Sequence, residues 1–301
     1  MHLVTFSDSL TSANKLQRIG VLDRKAGKIV DLSVAAPDLP CNMLELIALG
    51  DAGLKRVRTA LASGKGLIDL KTAKLDAPIP RPSKNVLCVG KNYHEHAKEF
   101  HDSGFDASAG ANAAPEVPII FTKAPTSVIG PNEPIPSYLD PTDSLDYEGE
   151  LTVVIGRGGR GINKANALAH VYGYTIINDA TARTLQHRHK QWFLGKSIDG
   201  FCPMGPTIVT ADEIPDPGKL HLLTHVNGEK RQDAMVSDLI FDIPTLIECL
   251  SATMTLEPGD LIATGTCAGV GIGFKPPKYL KKGDVVAITI EPIGVLENPV
   301  A

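Results

Sequence analysis

The 301-residue chain lacks the features that place a protein in a membrane or on a nucleic acid. No stretch approaches the roughly 18 consecutive apolar residues of a membrane-spanning helix. The net charge is −4 and basic residues form no dense run, so we expect neither a nucleic-acid partner nor a membrane partner. Residues 1–8 lack a basic segment followed by an apolar core, and we therefore expect no signal peptide.

Cysteine is scarce, and its distribution excludes the common zinc and disulfide patterns. The five cysteines lie far apart and form no Cys-x-x-Cys pair. An odd and dispersed set in a chain of this length indicates reduced thiols, so we expect a cytoplasmic protein. The five are Cys41, Cys88, Cys202, Cys249 and Cys267.

The composition that remains is that of a globular protein, with 43% hydrophobic and 21% charged residues. A chain of this length buries a sizeable core in one large domain or two unequal ones. The proline-rich segment 77–83 is the best candidate boundary. We therefore predict a small α+β N-terminal domain over residues 1–78 and a larger domain over residues 79–301. After Gly205 the pattern predicts β-structure, with one helix near residues 243–253.

Within the first predicted domain, two patterns indicate regular structure. Residues 18–32 predict a β-hairpin that turns at Lys25-Ala26-Gly27. Residues 43–62 carry apolar residues at helical spacing and predict a helix that is interrupted near Gly50. Neither pattern carries residues suited to chemistry.

A stretch that begins with carboxylates and ends in β-branched residues runs from Asp146 to Gly156 and predicts a strand. Glu148 and Glu150 then lie on one face of that strand, about 6.6 Å apart. Asp179 follows another apolar segment and offers a third carboxylate. Three hard oxygen donors suit Mg²⁺, Mn²⁺ or Ca²⁺. The alternative interpretation is a solvated strand edge, where Glu-x-Glu is common.

A candidate general base lies in a predicted short helix. His96 and Glu99 are three residues apart, so they share one helical face. A carboxylate that holds an imidazole fixes its tautomer and raises its basicity. The alternative is a polar surface helix. Residues 102–117, which follow, are mostly small, and they suit either a lid over a site or a plain surface loop.

Three glycine-rich segments need separate interpretations. Residues 156–161 match G-x-G-x-x-G, but the preceding strand carries two glutamates where a central parallel strand is apolar, which weighs against a dinucleotide site. Residues 195–197 follow a segment that lacks the first glycine of a phosphate loop. Residues 264–273 either bind an anion through backbone N–H groups or form a set of tight turns.

Together these motifs resemble the fumarylacetoacetate hydrolase family, in particular its acylpyruvate hydrolase and hydroxyhepta-diene-dioate isomerase-like branch. Six landmarks occur in the family's order between Asn85 and Asn298. Each landmark alone is weak, but six in that order are highly specific. They are Val89-Gly90-Lys91-Asn92-Tyr93, His96-x-x-Glu99, Asp146-Tyr147-Glu148-x-Glu150-Leu151, Asn178-Asp179-x-Thr181-Ala182-Arg183-x-x-Gln186, Gly195-Lys196-Ser197-x-Asp199, and Leu256-Glu257-Pro258-Gly259-Asp260 with Thr264-Gly265-Thr266.

The resemblance implies a mixed α/β fold that is rich in β-structure. Packed sheets would form a mixed β-sandwich roll, with a small N-terminal domain and a catalytic domain over residues 79–301. Family members are usually homodimers, so we expect a homodimer that binds a small 2-oxo acid. The resemblance also implies that Glu148, Glu150 and Asp179 bind Mg²⁺ or Mn²⁺, with Ca²⁺ as a further option. Residues 156–161 then form a turn.

The resemblance assigns roles to eight further residues. Four are expected to act in catalysis: His96, Glu99, Lys196 and Gln186. His96, oriented by Glu99, would activate a water molecule. Lys196 and Gln186 would bind a developing oxyanion or the substrate carbonyl. Four are expected to bind substrate: Tyr93, Arg183, Gly265 and Thr266. Arg183 also suits a structural role beside the metal carboxylates. Two departures from the family pattern, Cys267 and Thr184, concern substrate choice.

The implied activity is metal-dependent hydrolysis of a C–C bond in an acylpyruvate-type 2-oxo acid, in which the cation stabilises an enolate. The same site also suits oxaloacetate decarboxylation, 2-hydroxyhepta-2,4-diene-1,7-dioate isomerisation or hydrolysis of a diketo sugar acid. The histidine–glutamate pair favours hydrolysis, because an isomerase needs no activated water. A non-catalytic 2-oxo-acid-binding protein is the alternative from a different class.

Overall fold

The computed structural model describes residues 1–8, 16–104 and 114–301. The fold is of mixed α/β class, with 34% strand and 28% helix, as the sequence predicts. The strands are β1 (His2–Asp8), β2 (Arg18–Asp23), β3 (Lys28–Asp31), β4 (Leu67–Asp69), β5 (Ala73–Asp76), β6 (Val86–Gly90), β7 (Ile119–Lys123), β8 (Val128–Ile129), β9 (Leu145–Asp146), β10 (Gly149–Ile155), β11 (Val171–Asn178), β12 (Thr181–Ala182), β13 (Cys202–Thr210), β14 (His221–Val226), β15 (Glu229–Met235), β16 (Leu261–Ala263), β17 (Val285–Ile290) and β18 (Gly294–Pro299). The helices are α1 (Leu32–Ala35), α2 (Met43–Ala48), α3 (Gly50–Ala62), α4 (His94–Asp102), α5 (Arg183–Arg188), α6 (Phe193–Lys196) and α7 (Ile243–Thr253).

A large mixed sheet of twelve strands forms the centre of the molecule. Its hydrogen-bonded path runs β4-β3-β2-β1-β13-β11-β10-β16-β6-β7, with β5 beside β1 and β8 beside β13. Strands β10 and β11 are antiparallel, and every residue in both is buried. Their near-continuous apolar sequence follows from this burial on both faces.

A second sheet of four antiparallel strands, in the order β15-β14-β17-β18, packs against the large one. One hydrophobic cluster joins Leu222 and Ile288 of the small sheet to Leu151 and Val153 of β10. Burial of the facing apolar side chains drives this association. Two packed sheets agree with the predicted sandwich.

The N-terminal segment confirms the predicted hairpin, formed by β2 and β3, and the predicted break between α2 and α3. Strand β1 extends the large sheet by pairing with β13, with His2 opposite Val209 and Leu3 opposite Ile208. One hydrophobic cluster contains residues of both predicted domains. Residues 77–83 form neither helix nor strand. The division between residues 78 and 79 stays a prediction.

The glycine–arginine segment at residues 156–161 is a connection between strands. It leads from β10 through the 3₁₀ helix Lys164–His170 to the antiparallel strand β11. A dinucleotide fingerprint instead joins a strand to a helix within a parallel βαβ unit, so the turn interpretation holds. No helix in the described ranges is long and apolar enough to cross a membrane.

Candidate active site and metal centre

The three predicted metal ligands come from the ends of neighbouring strands. Glu150 lies in β10, whereas Glu148 lies just before it, so the predicted continuous strand is broken at this point. The pairing of Gly149 with Asn178 brings the end of β11 beside the start of β10. Asp179 therefore follows directly, and its backbone N–H donates to the carbonyl oxygen of Glu148 at 2.8 Å.

These three acids form a compact buried cluster. One carboxylate oxygen from each of Glu148, Glu150 and Asp179 lies within 4.8 Å of the other two. Their exposed fractions are 4%, 1% and 0%. The interpretation as a solvated strand edge is therefore wrong. Buried carboxylates need cations or hydrogen bonds to remain ionised, and the three acids differ in how they obtain them.

Glu148 is held by two cations of the protein. Arg183 Nη1 lies 2.6 Å from its Oε1, and Lys196 Nζ lies 2.8 Å from its Oε2. Burial alone raises the pKa of a carboxyl group, but Lys196, Arg183 and His96 outweigh it and lower the pKa of Glu148 below its usual range. Glu148 is therefore a carboxylate anion at neutral pH.

Asp179 lies between two buried lysines. Lys196 Nζ contacts its Oδ2 and Lys123 Nζ contacts its Oδ1, both at 2.7 Å. Lys123 also donates to the carbonyl oxygens of Ala180 and Lys196. Sequence reasoning missed Lys123. The only available signal was a lysine at the end of an apolar strand, which is ordinary at a surface.

Glu150 has a different environment. Its Oε2 accepts a hydrogen bond from the backbone N–H of Gly265 at 2.8 Å, and no lysine or arginine in the described residues forms an ion pair with it. Burial, followed by the charges of Asp179 and Glu148, raises the pKa of Glu150 well above its usual value. A divalent cation bound by the three acids would supply the missing positive charge. The donor set of three carboxylates thus fits a hard cation.

A fourth carboxylate, Asp146, supports this arrangement from behind. Its Oδ2 accepts from Arg183 Nε and from the backbone N–H of Ile272, both at 2.9 Å. Its Oδ1 accepts from the backbone N–H of Gly271 at 2.6 Å. Gln186 Oε1 accepts from Arg183 Nη1 at 3.3 Å. Arg183 thus contacts both Asp146 and Glu148, and its structural role and its substrate-binding role both stay predictions.

The predicted general base and its carboxylate partner both lie on α4 and contact each other. His96 Nδ1 lies 3.2 Å from Glu99 Oε2, and Glu99 Oε1 accepts from the backbone N–H of Gly269 at 3.0 Å. His96 is buried and stacks on Phe100, with ring centroids 6.2 Å apart. The glutamate holds the proton on Nδ1, and Nε2 has no partner among the described residues. Such an imidazole can move a proton at Nε2.

A small cavity lies where these groups converge. Of the residues predicted from the sequence, the lining includes His96, Glu148, Glu150, Arg183, Gln186, Lys196 and Thr266. The lining contributed by the described residues does not include Tyr93 or Gly265. Burial raises the pKa of the Tyr93 hydroxyl, and the Gly265 N–H is bound to Glu150. Substrate binding by these two residues stays a prediction.

Three aromatic side chains that sequence reasoning did not assign form one wall of the cavity: Phe100, Phe121 and Trp192. Trp192 meets the other two edge to face, with centroid distances of 6.0 Å to Phe100 and 5.1 Å to Phe121. Apolar walls exclude water and strengthen charge interactions inside the site. Of the predicted lid or loop at residues 102–117, positions 105–113 lie outside the described residues.

A buried triad of acids that could hold a metal ion, beside a histidine–glutamate pair, is an arrangement that suits a metal-dependent enzyme. Residues 85–301 match the family described as fumarylacetoacetate (FAA) hydrolase C-terminal. The chain belongs to the fumarylacetoacetate hydrolase family, and its fold is of that family's type.

Relatives of known name differ in the reaction they catalyse. The chain is 49% identical to oxaloacetate tautomerase YisK of Bacillus subtilis (strain 168) over 91% of this chain and 93% of the relative. It is similar to the solved structure of a fumarylacetoacetate hydrolase from psychrophilic Exiguobacterium antarcticum, with 42% identity, a TM-score of 0.78 and coverage of 100% and 99%. It is also similar to maleylpyruvate hydrolase from Sphingobium sp. SYK-6, solved with manganese(II) and pyruvate, with 30% identity, a TM-score of 0.79 and the same coverage.

Proposed function

We propose that this protein is a divalent-metal-dependent tautomerase that interconverts the keto and enol forms of a small 2-oxo dicarboxylic acid such as oxaloacetate. The convergence of His96, Lys196 and the two glutamates on one cavity carries this proposal. These side chains supply a proton carrier and a hydrogen-bond donor, which a keto–enol proton transfer needs, and that reaction requires no additional water. The similarity to an oxaloacetate tautomerase supports the same choice.

The side chains have the chemistry that such a proton transfer needs. His96 Nε2 moves the proton to or from C3, because Glu99 keeps the other nitrogen protonated. Lys196 Nζ donates to Glu148 and Asp179, which leaves its third N–H for the substrate's C2 oxygen. A donor in such a position contributes about 3 kcal/mol to the stabilisation of a developing oxyanion.

The three acids would hold Mg²⁺ or Mn²⁺ with their oxygen atoms. When it is bound, this cation acts as a Lewis acid and polarises the oxygens of a 2-oxo acid. Glu148 and Asp179 also hold Lys196 in place. We propose the sequence-predicted substrate-binding role of Thr266 for the C1 carboxylate, since its side chain lines the cavity.

The proposal is tested by ketonisation of enol-oxaloacetate, followed by ultraviolet absorbance with the Mg²⁺- or Mn²⁺-loaded protein. We expect saturable acceleration over the metal-only background. His96→Asn should reduce the rate by about 10²–10⁴-fold while oxalate binding is retained, because the histidine moves a proton and does not hold the cation. Absence of acceleration by the loaded protein would refute the proposal.

Hydrolysis of an acylpyruvate is the second candidate, favoured by the His96–Glu99 contact of 3.2 Å. A histidine held in this way can also activate a water molecule. The similarity to a maleylpyruvate hydrolase supports this alternative. Release of pyruvate from fumarylpyruvate or acetylpyruvate, assayed beside oxaloacetate decarboxylation and tautomerisation in one panel, distinguishes the candidates by their relative kcat/KM. The homodimer and the cytoplasmic location stay predictions.

A further inference from the structure

Gln232 links the acidic strand to the glycine-dense loop, although it belongs to the other sheet. It lies in β15 of the four-stranded sheet and is fully buried. Its Oε1 accepts from the backbone N–H of Gly149, which separates the two metal-site glutamates, at 3.0 Å. Its Nε2 donates to Thr266 Oγ1 at 2.7 Å and to the carbonyl oxygen of Cys267 at 2.8 Å.

The orientation of this amide follows from its partners. A backbone N–H can only donate and a carbonyl oxygen can only accept, so Gly149 requires the oxygen and Cys267 requires the NH₂ group. A flipped amide would place two donors together on one side and two acceptors on the other. Both protons and one lone pair of Gln232 are therefore assigned.

This orientation determines what the Thr266 hydroxyl can do. Because Thr266 Oγ1 accepts from Gln232, its own proton must point to another acceptor. Thr266 Oγ1 donates no hydrogen bond to any of the described residues, and Thr266 lines the cavity together with Glu148 and Glu150. A ligand carboxylate in the cavity is an acceptor of the required kind.

Glycine at position 149, the first residue of β10, leaves room for the contact with Gln232. A Cβ atom on Gly149 would lie 2.6 Å from Thr224 Oγ1 and 3.2 Å from Gln232 Oε1. Only glycine at this position lets the small sheet approach closely enough for the amide to reach both segments. The side chains that approach Gly149 belong to β14, β15 and β17 of the small sheet.

We propose that Gln232 is a positioning residue that makes the Thr266 hydroxyl a hydrogen-bond donor to the carboxylate of the bound 2-oxo acid. The proposal deepens the proposed function and rests on it for the identity of the ligand. Gln232 itself does not touch the ligand. Its contribution passes through Thr266, which distinguishes it from a residue that only braces the two sheets.

A double-mutant cycle with Gln232→Met and Thr266→Val tests this inference on the Mn²⁺-loaded protein. The measurement is the Kd of oxalate by titration calorimetry, with Mn²⁺ affinity and thermal stability measured in parallel. Each single variant should weaken oxalate binding by about tenfold, the effect of one hydrogen bond to a charged group. The double variant should be no weaker than Thr266→Val alone, because both changes remove the same contact.

Thr224→Val provides a matched control. Thr224 is the register partner of Gln232 on β14, it is buried, and its hydroxyl has no hydrogen-bond partner among the described residues. This variant should bind oxalate like the unaltered protein. In turnover, loss of the Thr266 contact should raise KM and leave kcat nearly unchanged, because the carboxylate is bound equally in the ground and transition states.

Several results would overturn the inference. The first is an oxalate affinity that is unchanged in Gln232→Met. The second is a double variant whose loss of oxalate affinity equals the sum of the two single losses. The third is a loss of Mn²⁺ affinity large enough to explain the weaker oxalate binding. If Gln232→Met does not fold, Gln232→Glu replaces it in the cycle, since a carboxylate would accept the Thr266 proton and cause the same loss. Failure of the unaltered protein to bind oxalate also overturns it, whereas oxalate binding without turnover refutes only the proposed tautomerase activity.

Discussion

The two glutamates of the candidate metal site, Glu148 and Glu150, differ in charge environment although only Gly149 separates them. Glu148 contacts the cations Arg183 and Lys196. Glu150 is bound only by a backbone N–H group among the described residues. The pKa of Glu148 is accordingly lowered, although burial opposes this, and the pKa of Glu150 is raised by burial and by neighbouring acids.

This difference shows which part of the site is complete in the polypeptide alone. Asp146, Glu148 and Asp179 each form an ion pair with at least one of the buried cations Lys123, Arg183 and Lys196. Glu150 forms no ion pair among the described residues, and we propose that a cation from solution binds on its side of the site.

The largest expected effect comes from removal of that cation. Exhaustive chelation should reduce turnover by a factor of about 10³ or more, because the loss of several kcal/mol of Lewis-acid stabilisation has that size. Addition of Mg²⁺ or Mn²⁺ should restore the rate. Activity that survives chelation, with metal content checked by elemental analysis, would contradict the assignment of the triad.

The next effect concerns stability on the Glu148 side. In the metal-free protein, Glu148→Gln should cost about 3–5 kcal/mol of unfolding free energy, since it leaves Arg183 and Lys196 buried without their shared partner. Urea denaturation at neutral pH measures this change. A loss of unfolding free energy below about 1 kcal/mol would show that the contacts of Arg183 and Lys196 with Glu148 do not stabilise the fold.

The same substitution at Glu150 should behave in the opposite way. Glu150→Gln should leave the stability of the metal-free protein unchanged or raise it slightly, because glutamine resembles the neutral carboxyl that the raised pKa of Glu150 favours. The stabilisation gained from Mn²⁺, about 2.7 kcal/mol at a concentration one hundred times Kd, should be lost. Equal destabilisation by the Glu148 and Glu150 variants without metal would refute the comparison.

The smallest effect tests the backbone contact of Glu150. Gly265 has φ of +106°, and a Cβ atom there would lie 2.8 Å from Asn92 Cβ and 3.0 Å from the carbonyl oxygen of Val89. Gly265→Ala should therefore cost about 1–3 kcal/mol of stability and move the N–H away from Glu150. Mn²⁺ affinity should fall. Gly283→Ala, at φ +93° in open space, is the control for backbone strain alone.

Short spacings in the sequence singled out the two glutamates and the His96–Glu99 pair, and the family landmarks joined Asp179 to them. His96 and Glu99 contact each other through one helical turn, which any helix would provide. Glu148 and Asp179 follow from antiparallel pairing of two apolar strands. Lys123 and Gln232 were missed, since each reaches the site from a strand distant in sequence whose own pattern carries no sign of it.

The hydrophobic pattern, the turn residues and the family landmarks by themselves determined the mixed α/β class, several strand positions and the candidate acids. Tertiary structure alone decided how charge is distributed among those acids. Glu148 contacts Arg183 of α5 and Lys196 of α6, whereas Glu150, among the described residues, accepts only from a backbone N–H group in the loop after β16. These groups come together only in the folded chain. Electrostatic energies vary with distance and burial, and only the packed fold sets either quantity.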